Sequence, residues 1–351
     1  MYNACLSEKI ELYKNEKKSI TAYDQIGKKQ SYKIPLENVY SQIIQNVILR
    51  LDNSYRNFFL RIKRGAKPGF PRFKGVDRFD SFCYPQYGFN LNDDKHLKLS
   101  KIGIVKIKIH RPVDGTIKTC TVKKNGLNQW FVCFSVEPYP VKVKKSKVKL
   151  KNMVGIDLGC QTFAALSNGQ KIEHPHFYRQ SEEKLSNVQA KYTKIKQRSV
   201  TDKQKVKVKR QLNKVHVKIN NQRTDFLHKL SKRLVHEYGK IYIEDLKITQ
   251  MIKDNYRNLN KSIHDSGWAQ FIGFLEYKAV EAGSQVKKVN PAYTSQFCSM
   301  CGTIVKKELK DRIHFCDCGA CMDRDVNAAR NILSFGTKLC LDSSKLEASL
   351  L

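Results

Sequence analysis

The sequence predicts an α+β protein of several domains, and three observations carry that prediction. Apolar residues recur at three- and four-residue steps near the amino end and at two-residue steps in the middle, and form short strand-like runs alternating with helical ones after residue 152. Two pairs of cysteines follow the last of these runs. At 351 residues the chain is long enough for two or three domains.

Leu36, Tyr40, Ile43, Val47, Leu51, Tyr55, Phe58 and Ile62 make one long apolar stripe, and Leu6, Ile10 and Tyr13 can supply a partner helix. Residues 61–74 then break the regular pattern with Pro68, Gly69 and Pro71, and mix Arg61, Lys63, Arg64, Lys67, Arg72 and Lys74 with Phe70 and Phe73. Cations on a stiffened loop suit phosphates, and the rings can stack on bases or wedge against the helices. A solvated charged turn is the plainer reading. Residues 1–75 are thus expected to be a helical segment ending in a basic loop.

Over residues 76–140 the period becomes two. Val105, Ile107 and Ile109 alternate with polar residues, Trp130, Val132 and Phe134 form another face, and Asp114-Gly115 and Asn125-Gly126 mark hairpin turns. The pattern predicts a small antiparallel β-barrel. Prolines and repeated lysines make 141–152 a linker.

Residues 153–290 read as an RNase H-like sheet with a helical insertion. A buried-strand pattern from Met153 to Leu158 carries Asp157, and Ile241-Tyr242-Ile243 ends in Glu244 and Asp245. Between them Leu212, Val215, Ile219, Phe226, Leu230 and Leu234 keep helical spacing, and Ser266 is placed to cap a helix carrying Trp268, Phe271, Ile272, Leu275 and Ala279. Asp325 opens a further helix spanning 325–335, and 336–351 is a tail whose order is left open. Carboxylates meeting from distant positions, Asp157, Glu244 and Asp325, are what two magnesium ions about 4 Å apart require for phosphodiester hydrolysis. Any one of these acids alone is more often a cap or an ion-pair partner. The run Gly155-Ile-Asp-Leu-Gly159 also opens the phosphate loop of actin-like ATPases, but the second glycine-rich loop such an enzyme needs is not visible.

Cys298, Cys301, Cys316 and Cys318 lie in a segment, 291–324, with the spacing of two thiolate knuckles around one structural zinc ion. Buried structural thiols are the alternative. Eleven cysteines, five of them between 298 and 321, favour metal over disulfides in a chain without a signal-like start. With 65 Lys and Arg against 32 Asp and Glu, the formal charge is +33, which calls for a polyanion. Nucleic acid is the expected partner. No run of eighteen apolar residues appears, so a membrane is not expected, and the reading is of a soluble, cytoplasmic protein without a small-molecule substrate.

In order along the chain stand Gly69-Phe-Pro-Arg-Phe-Lys74, Val154-Gly-Ile-Asp-Leu-Gly159, Ile243-Glu-Asp-Leu246, Asn290-Pro-Ala-Tyr-Thr-Ser295, the cysteine knuckles, and Asp323-Arg-Asp-Val-Asn-Ala-Ala-Arg-Asn-Ile-Leu333. In these the chain resembles the TnpB proteins of insertion sequences and, more distantly, the miniature type V CRISPR effectors. The resemblance implies an RNA-guided DNA endonuclease with a guide RNA and a target DNA as partners. It implies a RuvC-type nuclease domain whose acids are Asp157, Glu244 and Asp325, a wedge barrel, a helical recognition lobe, and a zinc-binding insert that contacts target nucleic acid. Cys316-Asp-Cys318 is one residue shorter than the family's second knuckle; counting back from Asp325 assigns Cys316 and Cys318, with Cys321 as an alternative ligand. The family begins with a strand and helix before the Tyr-Asn-x-x-Leu segment, whereas this chain begins Met1-Tyr2-Asn3. The first wedge strand is therefore expected to be missing, and a guided DNA-binding protein that does not cut is the alternative function. A binder that works without RNA is a third class.

Overall fold

The computed structural model describes residues 1–32, 34–75, 78–93, 95–139, 152–197, 201–254, 257–308 and 310–348. The linker expected at 141–152 lies outside these except for its last residue. The chain divides into two compact units, Met1–Lys142 and Val143–Leu351. No helix among the described residues is long and apolar enough to cross a membrane.

In the first unit the predicted stripe folds as a 23-residue helix α3 (Ser41–Lys63), preceded by α1 (Tyr2–Glu16) and α2 (Ala22–Gly27). Leu36 and Tyr40 lie ahead of α3, with Tyr40 at its N-cap. Thr21 and Asp24 form a reciprocal capping box that starts α2. Val47, Ile48 and Leu51 bury against Tyr2, Cys5 and Leu6 of α1, as the expected helix pair requires, while Tyr13 stays exposed.

The period-two segment forms two three-stranded antiparallel sheets among the described residues, where the sequence predicts one barrel. One sheet orders β1 (Ser81–Tyr84), β5 (Gly115–Lys124) and β6 (Trp130–Pro138); the other joins β2 (Phe89–Leu91), β3 (His96–Leu99) and β4 (Gly103–Lys106). Strands of three or four residues give few ladder bonds for closing a ring, and Ile107 and Ile109, expected in a strand, fall beyond the end of β4. Ile43 of α3 reaches into the core of Tyr84, Leu97, Leu99 and Cys120. Asn125 shapes the β5–β6 turn, its Oδ1 accepting from the N–H groups of Leu127 and Gln129 at 2.9 and 3.0 Å.

The second unit centres on a five-stranded mixed sheet ordered β11-β10-β7-β8-β9. Its strands are β7 (Met153–Leu158), β8 (Thr162–Leu166), β9 (Lys171–Glu173), β10 (Lys240–Glu244) and β11 (Gln285–Val289). β10 runs parallel to both β7 and β11, whereas β7, β8 and β9 are antiparallel. The helical insertion is a hairpin of α4 (Phe177–Gln197) and the 36-residue α5 (Asp202–Glu237), closed by Leu185, Val215 and Ile219. Two short helices follow, α6 (Ile248–Asp254) and α7 (Arg257–Ser266), and then α8 (Trp268–Ala282). Phe271 and Leu275 of α8 share the main core with Val154, Ile156, Leu227 and Leu234.

Ser266 does not cap α8. Gly267, in the left-handed region at φ 65, takes the N-cap position, and the Ser266 hydroxyl donates instead to the Ser262 carbonyl, one turn back in α7. The final helix α9 (Arg324–Ala348) begins one residue earlier and continues well past the 325–335 helix read from sequence, into the stretch read as a tail.

Candidate active site and metal centre

The strand register brings the first two acids together. Ile243 of β10 pairs with Ile156 of β7 in parallel, so the next residues, Glu244 and Asp157, stand side by side where the two strands end. Carboxyl ends of parallel strands are where open sheets gather ligand-binding groups.

Asp325 arrives on α9, which packs tightly on β7. A Cβ on Gly155 would lie 2.0 Å from the Ala329 carbonyl oxygen and 2.7 Å from the Leu333 nitrogen, so only glycine admits the helix. From that contact, one helical turn back reaches Asp325 and two strand residues forward reach Asp157. Asp323 fixes the helix start: its Oδ1 accepts from the N–H groups of Asp325 at 3.0 Å and Val326 at 3.2 Å, and its other oxygen pairs with Lys171 of β9.

Asp157 feels the other two acids. Burial holds Asp157 well above the usual carboxylate range, and the negative charges of Glu244 and Asp325 push the same way, against Arg324. Glu244 is also raised by burial, opposed by a 2.5 Å hydrogen bond from the Thr294 hydroxyl. The Arg324 guanidinium lies 3.4 Å from Asp325. These carboxylates do not crowd within the 4.8 Å that would mark a single-ion cluster. They are spread acids of hard oxygen character whose mutual repulsion a divalent cation would relieve, and the donor set fits magnesium.

The second centre is the cysteine group. The Sγ atoms of Cys298, Cys301, Cys316 and Cys318 all lie within 4.8 Å of one another. Cys298 and Cys318 are 3.7 Å apart and Cys301 and Cys316 3.5 Å. A tetrahedron of thiolates about 2.3 Å from zinc has edges of about 3.8 Å, so the group can hold that ion. Hydrogen bonding with Thr303 draws the Cys301 thiol down to about 6, whereas Cys318, against a backbone hydrogen bond at Ala320, is pushed up to about 12 by its hydrogen bonds with Cys301 and Cys316. Cys321, on β13 (Cys321–Asp323), is exposed and outside the group. β13 pairs with β12 (Ile313–Phe315), and the apolar side chains Met300, Ile304, Ile313 and Phe315 point into solvent rather than into a core.

Another cluster, His174, His176 and Asp265, is already committed to packing. His174 Nδ1 accepts from the His176 N–H at 2.9 Å, and its Nε2 lies 2.9 Å from the Ser266 hydroxyl. Asp265 accepts from the Tyr178 N–H and pairs with Arg223 at 3.2 Å, which fastens the start of α4 to the end of α7.

The basic residues divide. Arg61 and Lys63 occupy the last turn of α3 and Arg64 its C-cap, while Lys67 and Arg72 stand exposed on the loop that follows. Phe70 meets Tyr55 and Phe58 edge-on at 5.5 and 5.4 Å, so that ring wedges against the helix. Lys74 turns inward: its backbone exchanges hydrogen bonds with the Asn3 side chain, and its ammonium lies 4.6 Å from the centre of the Tyr2 ring.

Sequence reading missed Thr294, Asn327 and Asn331. Asn327 donates to the Phe297 carbonyl at 2.7 Å and accepts from the Ser299 N–H at 2.9 Å; Asn331 donates to the carbonyls of Thr294 and Phe297 at 2.8 and 2.7 Å. Two buried asparagines four apart inside a helix were the available signal, because asparagine is a poor helix former unless its amide has a partner.

Two families match parts of the chain: "Probable transposase" over residues 135–255 and "Cas12f1-like, TNB domain" over residues 268–332. The chain is 34% identical over 318 residues to "Putative RNA-guided DNA endonuclease InsQ" of Escherichia coli K12, covering 86% of this chain and 76% of the relative. It is 31% identical to a "Putative RNA-guided DNA endonuclease" of Streptomyces pristinaespiralis, covering 86% and 73%. Among solved structures, the protein of a Cas12f1–sgRNA–target DNA complex shares the fold at a TM-score of 0.53 and 15% identity, over 94% of this chain and 79% of that one.

Proposed function

Since the chain belongs to the TnpB family, we propose that it is an RNA-guided DNA endonuclease whose RNase H-like sheet carries a RuvC-type site. The observation that carries the reading is the register that sets Glu244 beside Asp157, with Asp325 brought to them by the packing of α9 on Gly155. Asp157 and Glu244 come from distant chain positions to adjacent strand ends and Asp325 stands at the start of the helix packed on them, an arrangement that a surface ion pair or helix cap would not require.

Asp157, Glu244 and Asp325 would hold the magnesium ions, which when bound supply the Lewis acidity for phosphodiester hydrolysis. Burial of both, and at Asp157 the repulsion of Glu244 and Asp325, keeps Asp157 and Glu244 poorly suited to bearing charge alone, so a nearby cation would favour their charged forms. The Asp323 cap and the α9 amino end fix the direction of Asp325. The close fit of Gly155 under Ala329 argues for helix packing as the reason for that glycine, and leaves no phosphate-cradling role for it. Cys298, Cys301, Cys316 and Cys318 would hold one zinc ion that folds the insert, and the exposed cations Arg64, Lys67 and Arg72 would meet phosphates of guide RNA or target DNA.

The test is cleavage programmed by RNA. The purified chain with its copurifying RNA, reprogrammed to a chosen sequence, is expected to cut matching DNA only with magnesium. Asp157→Asn, Glu244→Gln and Asp325→Asn each abolish cutting while leaving guided binding. Guided binding without cutting by the wild-type chain would make it an RNA-directed binder instead, and binding independent of RNA would remove the guided reading.

A further inference from the structure

We propose that Thr294 is a positioning residue for Glu244, and that α9, through Asn331, holds Thr294 in place together with the first cysteine knuckle. The inference rests on the two-metal reading above.

Glutamate has several rotatable bonds, and a carboxylate at a strand end samples them unless something holds it. Thr294 does so: its hydroxyl, on a residue 3% exposed, donates to Glu244 Oε1 at 2.5 Å. That bond engages one oxygen and leaves Oε2 free to turn toward the other acids. The Thr294 hydroxyl also lies 3.1 Å from the Pro291 carbonyl, a contact that would close the local turn whether or not a metal binds nearby. Positioning and turn closure therefore predict different results when the hydroxyl is removed.

Two features show that the place of Thr294 is imposed from outside the sheet. Tyr293, just before it, is held in the left-handed region at φ 63, a conformation a bulky side chain adopts only when its surroundings compel it. The Thr294 carbonyl accepts from Asn331, whose amide also reaches Phe297. Asn327, one turn earlier on α9, holds Phe297 and Ser299 on either side of Cys298. One face of α9 thus clamps the first cysteine knuckle and Thr294 together, and the first turn of the same helix presents Asp325. Glu244 takes its position from this clamp through Thr294, while Asp325 stands on the first turn of the same helix.

Manganese binding to the full-length chain with its copurifying RNA, without DNA, followed by the electron paramagnetic resonance of free and bound ion, tests the inference. Thr294→Val keeps the shape but not the donor; it is expected to weaken manganese binding by about tenfold or more, as loss of a partner behind a metal ligand does, with zinc content unchanged. Thr294→Ser restores the affinity, and Asn331→Ala weakens it with zinc retained. Thr294→Val binding manganese as tightly as wild type overturns the role of Thr294, and Asn331→Ala binding it as tightly overturns the link to α9. Should Thr294→Val lose zinc through misfolding, the serine variant decides, since weak manganese binding there shows the hydroxyl does not position the acid. A wild-type chain that binds no manganese removes the two-metal reading itself, an outcome distinct from either.

Discussion

Gly155 and Ala329 approach so closely that a Cβ on the glycine would lie 2.0 Å from the alanine carbonyl oxygen. The contact is backbone against backbone, so no side chain can swing away to relieve it. Gly155→Ala is therefore expected to cost more than about 3 kcal/mol, the upper end of ordinary overpacking. It should yield chain that is insoluble or melts many degrees below wild type. A melting temperature within a few degrees of wild type would mean that α9 can shift outward, and then Asp325 should shift with it and cleavage should fall.

The raised pKa of Asp157 makes stability depend on pH in a definite direction. A carboxyl whose folded-state pKa exceeds its unfolded value, about 3.9, leaves the folded chain holding more protons than the unfolded one between those values. Stability is then greatest below the unfolded value and falls as pH rises toward the folded one. Asp157→Asn removes that dependence. In magnesium-free buffer the variant is expected to out-melt wild type by a margin that widens as pH rises above about 3.9 toward the raised folded-state value. Magnesium should raise the wild type alone. A variant that melts below wild type at the alkaline end would show that Asp157 is stabilised as an anion.

Zinc removal tests the cysteine assignment. With its larger apolar side chains turned to solvent, the insert depends on thiolate coordination for folding. Cys298→Ser, Cys301→Ser, Cys316→Ser or Cys318→Ser should release the metal and loosen residues 291–324 to proteolysis, while Cys321→Ser, Cys5→Ser and Cys120→Ser keep it. Zinc lost from Cys321→Ser but retained by Cys316→Ser would move the fourth ligand to residue 321.

The candidate acids could be picked out in sequence because each is announced locally: Asp157 lies near the end of an apolar run of strand length, Glu244 ends another, and Asp325 precedes a run of helix formers. The four cysteines were legible by spacing. What brings these groups together was not, since it lies in contacts between distant residues. Thr294 meets Glu244 across fifty positions, and Lys171 meets Asp323 across 152. Ser266 was misread as a cap because a serine ahead of an apolar helix is the ordinary signal, and nothing local shows that Gly267 takes the left-handed turn. The barrel was overdrawn for a related reason: alternation reveals strands but not whether short ones close a ring. The basic loop was read as one unit, although its first cations belong to α3 and its last, Lys74, is engaged by Asn3 and Tyr2.

That division sharpens what the loop is expected to do. Arg64, Lys67 and Arg72 are exposed, and Pro68 and Pro71 limit the backbone between them, while Phe70 anchors the loop on Tyr55 and Phe58. Cations held at a fixed spacing suit a phosphate backbone, and each phosphate neutralised releases counterions. Replacing Arg64, Lys67 and Arg72 together with glutamine should weaken nucleic-acid binding by similar factors for unrelated guide and target sequences. The slope of log affinity against log salt should become shallower by about 0.7–0.9 for each phosphate that is no longer neutralised. Lys74→Gln behaves differently, because its ammonium faces aromatic rings: it should lower the melting temperature of the free chain and leave the salt slope nearly unchanged. Fluorescence anisotropy titrations between about 50 and 200 mM salt measure both. An unaltered slope in the triple variant would reduce the loop to a solvated turn, and a loss confined to one sequence would mean that it reads bases.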